Sequence, residues 1–210
     1  MSLDAATALQ RLREGNRRFV RGHCEAPAAG DDTRRRALLA GQQPFAIILG
    51  CSDSRVPAEL VFDQGLGDLF VIRVAGNIVA PSQVASVEFA AERYGTKLVV
   101  VLGHSACGAV QATVEELTRT DGPRAANLHS IVERIRPSVQ PLLATELRQD
   151  PEALVRKAVR ANIRASANQL RHGSAVLETL IQRHGLRVVG AEYSLDSGEV
   201  DFFDGIDGPA

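Results

Sequence analysis

Two short apolar runs, Phe45–Leu49 and Lys97–Leu102, are each closed by a glycine, Gly50 and Gly103. Near-continuous apolar runs of this length predict strands buried on both faces. Leu69–Val74 is a third such run, broken by Arg73. Between the second and third strands of the chain lies Ser82–Tyr94, where Val84, Val87, Phe89, Ala90 and Ala91 recur with helical period. Ser82 is its expected N-cap, and Gly95 falls just past its end. Strand, helix and strand on this scale predict a right-handed parallel crossover. From Ala109 to His184 the pattern is mostly helical, with interruptions expected at Pro123, Pro137, Pro141 and Pro151. Arg187–Ser194, a polar turn at Asp196–Glu199 and Val200–Phe203 then read as a strand, a turn and a short return strand. At the amino end, Ala5–Arg21 sets Ala8, Leu9, Leu12, Phe19 and Val20 among charged residues, as in an amphipathic arm. A Pro/Gly/Ala-rich loop, Glu25–Gly30, separates that arm from Asp31–Arg36, which reads as a solvated helix face. The elements together predict an α/β fold, a mostly parallel sheet flanked by helices.

A chain of 210 residues bounds the fold to one domain, and neither a repeat nor a dividing linker is visible. With 24 Lys+Arg against 25 Asp+Glu, the chain lacks the basic excess of a general nucleic-acid binder, so no nucleic-acid partner is expected. The start is polar and charged, unlike a signal peptide. The longest apolar runs fall far short of the roughly 20 residues of a membrane span, so no membrane partner is expected either. Three cysteines are poor material for a disulfide framework. A cytoplasmic protein with reduced thiols follows, in which cysteines near histidines suggest metal binding or catalysis.

Both of the strongest strands end on metal-ligand residues: Ile47-Ile48-Leu49-Gly50 runs into Cys51, and Val100-Val101-Leu102-Gly103 runs into His104. Ligands of open α/β sheets bind outside the carboxyl ends of the strands, so these two residues are expected to be neighbours. Cys107 follows His104 by three residues, in the segment that enters the next predicted helix, and a tight turn can aim both inward. Cys51, His104 and Cys107 then form a Cys2His set, and three protein ligands with one open position characterise catalytic zinc. Two thiolates neutralise the dication and weaken it as an acid, so neighbouring groups are expected to help. Those neighbours are in Cys51-Ser52-Asp53-Ser54-Arg55. If the segment stays extended, Cys51, Asp53 and Arg55 share one side. Asp53 would then orient a zinc-bound hydroxide, and Arg55 would grip Asp53 bidentately and hold it off the metal.

Other residues of the same types read as ordinary. Cys24 is expected to be a free thiol, and His23, His129, His172 and His184 lack paired ligands. The serine elbow G-x-S-x-G fails because Ser54 replaces its closing glycine. Gly65-Leu66-Gly67 lacks the third glycine of a dinucleotide fingerprint, and no phosphate loop of the G-x-x-x-x-G-K type is present.

Cys51-Ser52-Asp53-Ser54-Arg55-Val56-Pro57, taken with His104-Ser105-Ala106-Cys107-Gly108, resembles the paired signature of the β-class carbonic anhydrases. The resemblance extends through Arg73, Asn77, Val87-Glu88-Phe89-Ala90 and Tyr193. It implies a zinc lyase that hydrates carbon dioxide reversibly to bicarbonate and a proton. It also implies four parallel strands with an antiparallel edge strand, and a single domain whose helical arm, residues 1–40, packs on a partner subunit while 41–210 form the core. A homodimer with sites at its interface, or a homotetramer, is implied as well. By the same resemblance Cys51, His104 and Cys107 hold one Zn2+ per subunit, and Asp53 and Arg55 form the orienting dyad. Gln42 supplies a hydrogen bond to substrate oxygen, the Gly108 N–H adds a donor, and Phe70, Ala75 and the partner subunit's Phe89 wall the pocket. One branch of the family carries a second, inhibitory bicarbonate site built on a tryptophan where this chain has Ile48, so that site is not expected here although Arg73 and Tyr193 match its other members. Two alternative readings use the same scaffold: hydrolysis of carbonyl sulfide or carbon disulfide, and a noncatalytic zinc-stabilised oligomeric module.

Overall fold

The computed structural model describes residues 2–26, 32–119 and 127–206. Its centre is a five-stranded sheet, β1 (Ala46–Gly50), β2 (Leu69–Arg73), β3 (Leu98–His104), β4 (Arg187–Tyr193) and β5 (Val200–Asp204), in the order β2-β1-β3-β4-β5. β5 alone runs antiparallel to its neighbour. The helices are α1 (Ala5–Val20), α2 (Asp32–Ala37), α3 (Ala58–Val61), α4 (Pro81–Tyr94), α5 (Gly108–Thr118), α6 (His129–Leu143), α7 (Pro151–His172) and α8 (Ala175–His184). None of them is long and apolar enough to cross a membrane.

Alternation along the strands divides the core into two layers. Ile47, Leu49, Val99, Val101 and Val188 face Val87 of α4, Ile135 of α6, Ile163 of α7 and Leu177 of α8. Ile48, Val100, Leu102, Val189 and Ala191 face Leu9 and Leu12 of α1, Val61 of α3 and Phe62. Every residue of β1 and β3 is buried, as the apolar runs predict. Each such Val, Leu or Ile stabilises the fold by about 1.5–3 kcal/mol relative to exposure. From β1 the chain crosses to β2 on one side and then to β3 on the other, which makes the carboxyl ends of β1 and β3 the switch point of the sheet.

Several local expectations need correction. Helix α4 starts at Pro81 with Ala80 as its cap, because proline's fixed φ and absent N–H suit the first helical position better than Ser82 suits the cap. Pro137 and Pro141 do not interrupt α6, which runs through both. Both are exposed, so water reaches the carbonyls they leave unpaired, while Val132, Ile135 and Val139 bury the opposite face. Pro151 opens α7 behind Asp150, which caps Ala153 N–H at 3.0 Å. Pro123 and most of the Pro/Gly/Ala-rich loop lie outside the described residues.

The amino-terminal arm has two parts. Helix α1 turns Ala8, Leu9 and Leu12 onto the sheet of its own subunit. Past its end the chain is latched by Asp63, whose buried carboxylate accepts from Arg18 Nε and from the N–H groups of Glu25 and Ala26. No residue of helix α2 or of the 3-10 turn Leu38–Ala40 is fully buried within the chain, and Leu39 is 80% exposed.

Candidate metal centre

Parallel pairing sets Gly50 of β1 against Leu102 of β3, so Cys51 emerges beside Gly103 and His104. Side-chain room there is small: a Cβ on Gly103 would stand 2.5 Å from Ile163 Cδ1. After His104 the chain reverses through Ala106, held left-handed at φ 52°, and Cys107 becomes the residue preceding α5. The reversal is pinned from β4, with Ser105 N–H donating to Tyr193 O at 2.9 Å and Leu195 N–H donating to Ser105 Oγ at 2.9 Å. As a result the ligand atoms of Cys51, His104 and Cys107 all lie within 4.8 Å of one another, the one such cluster among the described residues.

The donor set fits a tetrahedral cation. Zinc at about 2.3 Å from sulfur and 2.0–2.1 Å from nitrogen needs ligand atoms about 3.5–3.8 Å apart, within reach of small side-chain rotations here. His104 Nδ1 meets the Ser105 carbonyl at 2.9 Å, which makes Nδ1 the protonated nitrogen. Nε2 keeps its lone pair, is fully buried and has no hydrogen-bond partner. A buried acceptor left unpaired is costly unless something occupies the space it faces. Close approach of the two thiols pulls Cys51 well below the ordinary thiol value, and the same contact together with burial pushes Cys107 above it. Burial disfavours a charge on His104, but the adjacent Cys51 sulfur, the Ser105 carbonyl and the Asp53 carboxylate together outweigh it and the net shift is upward. A cation would replace these protons and take the charge of both sulfurs.

The Asp53–Arg55 pair forms beside this cluster, though not by the extended route. Val56 N–H donates to Asp53 O at 3.0 Å, so the segment turns, and Arg55 N–H closes on Asp53 Oδ1 at 3.0 Å. This side-chain-capped turn is a common aspartate habit. It brings Arg55 Nε to Oδ1 at 2.9 Å and Nη2 to Oδ2 at 2.7 Å. The bidentate guanidinium, helped by the Arg55 N–H, holds the carboxyl far below the usual carboxylate range. Asp53 Oδ2 lies 3.8 Å from His104 Nε2, so the ionised carboxylate faces the ligand cluster.

Other predicted residues divide by position. Ala75 and Gly108 flank the cluster: Ala75 opens the 3-10 turn Ala75–Asn77, and Gly108 is the first residue of α5. Gln42, Phe70 and Phe89 form a separate group. Gln42 Nε2 donates to the Tyr94 hydroxyl at 3.0 Å, and the rings of Phe70, Phe89 and Tyr94 lie 5.8–6.2 Å apart. The group sits toward the opposite end of β1, roughly 16 Å of strand from Cys51 for Gln42. Phe89 is 52% exposed. Ile48 is fully buried, packed in the same layer as Tyr193. Cys24 is an exposed free thiol, and His23, His129, His172 and His184 are all exposed.

Some contributors carry no motif. Arg73 donates from Nε to Cys51 O at 3.0 Å and from Nη2 to Asp53 O at 2.6 Å, bracing the loop that carries both side chains. The Gly76 N–H reaches Cys51 Sγ at 3.3 Å. A lone arginine breaking an apolar strand was the available signal for the first, and nothing in the sequence singled out the second.

The family model described as carbonic anhydrase matches residues 46–200. Among solved structures, the β-carbonic anhydrase CcaA aligns with a TM-score of 0.75 at 28% identity, over 94% of this chain and 96% of the other. The chain belongs to the β-class carbonic anhydrases. Hydration of carbon dioxide is the general reaction of that family. Carbonic anhydrase 2 of Mycobacterium tuberculosis is 39% identical over 191 residues, covering 91% of this chain and 89% of its own. The carbonic anhydrase of Mycolicibacterium smegmatis is 37% identical over 194 residues, covering 92% and 91%. One of the tetrameric β-carbonic anhydrases of Sordaria macrospora superposes with a TM-score of 0.72 at 26% identity, over 86% and 89%.

Proposed function

We propose that the chain hydrates carbon dioxide reversibly to bicarbonate and a proton, using one zinc ion per subunit held by Cys51, His104 and Cys107. The observation that carries this reading is the unpaired, fully buried His104 Nε2 facing two sulfurs beside the Asp53–Arg55 pair. Zinc bound there supplies a Lewis acid that makes water reactive near neutrality. Asp53, kept ionised by Arg55, accepts a hydrogen bond from the nucleophile and fixes the direction of its lone pair. Arg55 also occupies both carboxylate oxygens, so Asp53 is kept from the metal. The Gly108 N–H opens α5, where the helix dipole favours charge developing on substrate oxygen. Ala75 adds an apolar wall suited to an uncharged substrate.

Gln42, Phe70 and Phe89 serve the site of a second copy in this reading. They stand far from their own Cys51, and Phe89 is half exposed. The active unit is then a homo-oligomer, a dimer or a pair of dimers, with the exposed Leu38–Ala40 turn available to the partner. The Sordaria macrospora relatives are tetrameric. Three reduced thiols, two of them ligands, suit the cytoplasm.

Stopped-flow hydration of carbon dioxide by the purified zinc protein tests the reading, and rapid turnover is expected. Zinc-loaded protein inactive at alkaline pH would overturn it. Sulfide release from carbonyl sulfide or carbon disulfide would then identify a hydrolase, and its absence a noncatalytic zinc module.

A further inference from the structure

We propose that Asn162 and Ser166 of α7 are positioning residues that aim the Gly76 N–H at the Cys51 sulfur and thereby set the electron density on that ligand. The inference rests on Cys51 being a metal ligand. The Gly76 N–H stands 3.3 Å from Cys51 Sγ, and the turn that carries it is strained: Gly76 has φ 69° and Asn77 φ 43°. Two successive left-handed residues, the second with a side chain, persist only where their surroundings hold them. Helix α7 does so. Asn162 Nδ2 donates to Gly76 O at 2.8 Å, and Ser166 Oγ donates to Asn77 O at 3.0 Å.

The two side chains are one helical turn apart on the same face. Asn162 is 1% exposed and Ser166 5%, so both polar groups are buried where an apolar residue would pack at less cost. The anchored carbonyls of Gly76 and Asn77 hold the far side of this turn, and the Gly76 N–H on its near side is thereby kept aimed at the sulfur. An N–H donated to a thiolate withdraws charge from it. That matters at a site with two thiolates, because their combined charge cancels that of a divalent cation and blunts its acidity. Neither side chain touches a ligand; both act through the backbone of Gly76 and Asn77.

Cobalt(II) in place of zinc reports on the sulfur without any turnover. The comparison uses Asn162→Ala, Ser166→Ala and, as control, Ser138→Ala. Ser138 of α6 is buried to a similar degree, at 7% exposure, and its Oγ has no partner among the described residues. Loss of the anchor is expected to move the thiolate-to-cobalt charge-transfer band to longer wavelength in the first two variants. It should also speed cobalt release to a chelator by about tenfold, the lower end of what outer-shell partners of metal ligands contribute. Amide exchange at Gly76 should quicken in the same two variants, and the control should match wild type in all three readouts. Folded Asn162→Ala and Ser166→Ala with the wild-type band and release rate would overturn the proposal, as would an equal shift in Ser138→Ala. Should Asn162→Ala fail to fold, Ser166→Ala decides by the same comparison. None of these readouts uses carbon dioxide, so failure of the hydration reading would be seen separately.

Discussion

Replacing Gly76 by alanine would put a methyl group 2.7 Å from Ile135 Cδ1 and 3.0 Å from Ala109 Cβ. Real carbons do not approach so closely, and neither neighbour yields easily: Ile135 is fully buried in the core and Ala109 lies in the first turn of α5. Overpacking of this kind costs about 1–3 kcal/mol. The left-handed backbone at φ 69° adds a cost of about 1–2 kcal/mol for any L-residue. The sum, about 2–5 kcal/mol, corresponds to a fall in Tm of about 4–20 °C for a domain of this size. A second effect is specific to the metal site, because relief of the clash would turn the Gly76 N–H from Cys51 and shift α5 together with Cys107. Zinc should therefore raise the Tm of Gly76→Ala by less than it raises that of wild type. Differential scanning calorimetry of stripped and zinc-loaded protein measures both effects, at equal protein concentration because assembly also contributes. A variant melting within about 2 °C of wild type, with the same zinc increment, would refute the reasoning.

Arg55→Gln should keep its zinc by elemental analysis yet lose about 10–100-fold in kcat/KM, since Asp53 would lose its bidentate partner; unchanged turnover would remove the dyad from the mechanism. For the Asp63 latch, burial pushes the carboxyl up, but the Glu25 and Ala26 N–H groups and Arg18 together hold it below its ordinary value. Its contribution to stability is thus complete above about pH 4 and is lost as pH falls through the lower folded value. Asp63→Asn should lower urea stability at pH 7 by about 1–3 kcal/mol and flatten the acid limb; a parallel acid limb would contradict the latch. Phe89→Ala should weaken self-association by about 2 kcal/mol, about 30-fold in dissociation constant, visible by light scattering on dilution; an unchanged assembly would take Phe89 out of the interface.

Much of the sheet was legible because buried parallel strands advertise themselves as apolar runs. The strands Ala46–Gly50 and Leu98–His104 fall within two residues of their expected limits. Both strands end on a metal-ligand residue and ligands of such sheets gather at those ends, which is why the sequence alone places Cys51 and His104 together. Legibility failed where geometry depends on contacts distant in sequence. The turn at Asp53 and Arg55 looked extended because a run of polar residues carries no period, and the aspartate side chain decided it. Pro137 and Pro141 looked like helix breaks because their exposure depends on which face of α6 meets the core. Asn162 and Ser166 could not be found at all: a polar residue inside a helix does not announce that its partner is a turn 86 residues earlier.

The most direct measurement is a zinc titration of the stripped protein, following carbon dioxide hydration and bound metal together. Hydration should be absent without metal, rise in proportion to zinc and stop rising at about one ion per chain, the stoichiometry of a single three-ligand site. Cys107→Ala should neither take up that ion nor gain activity. Full hydration by metal-free protein, or one zinc bound per chain without hydration, would contradict the account.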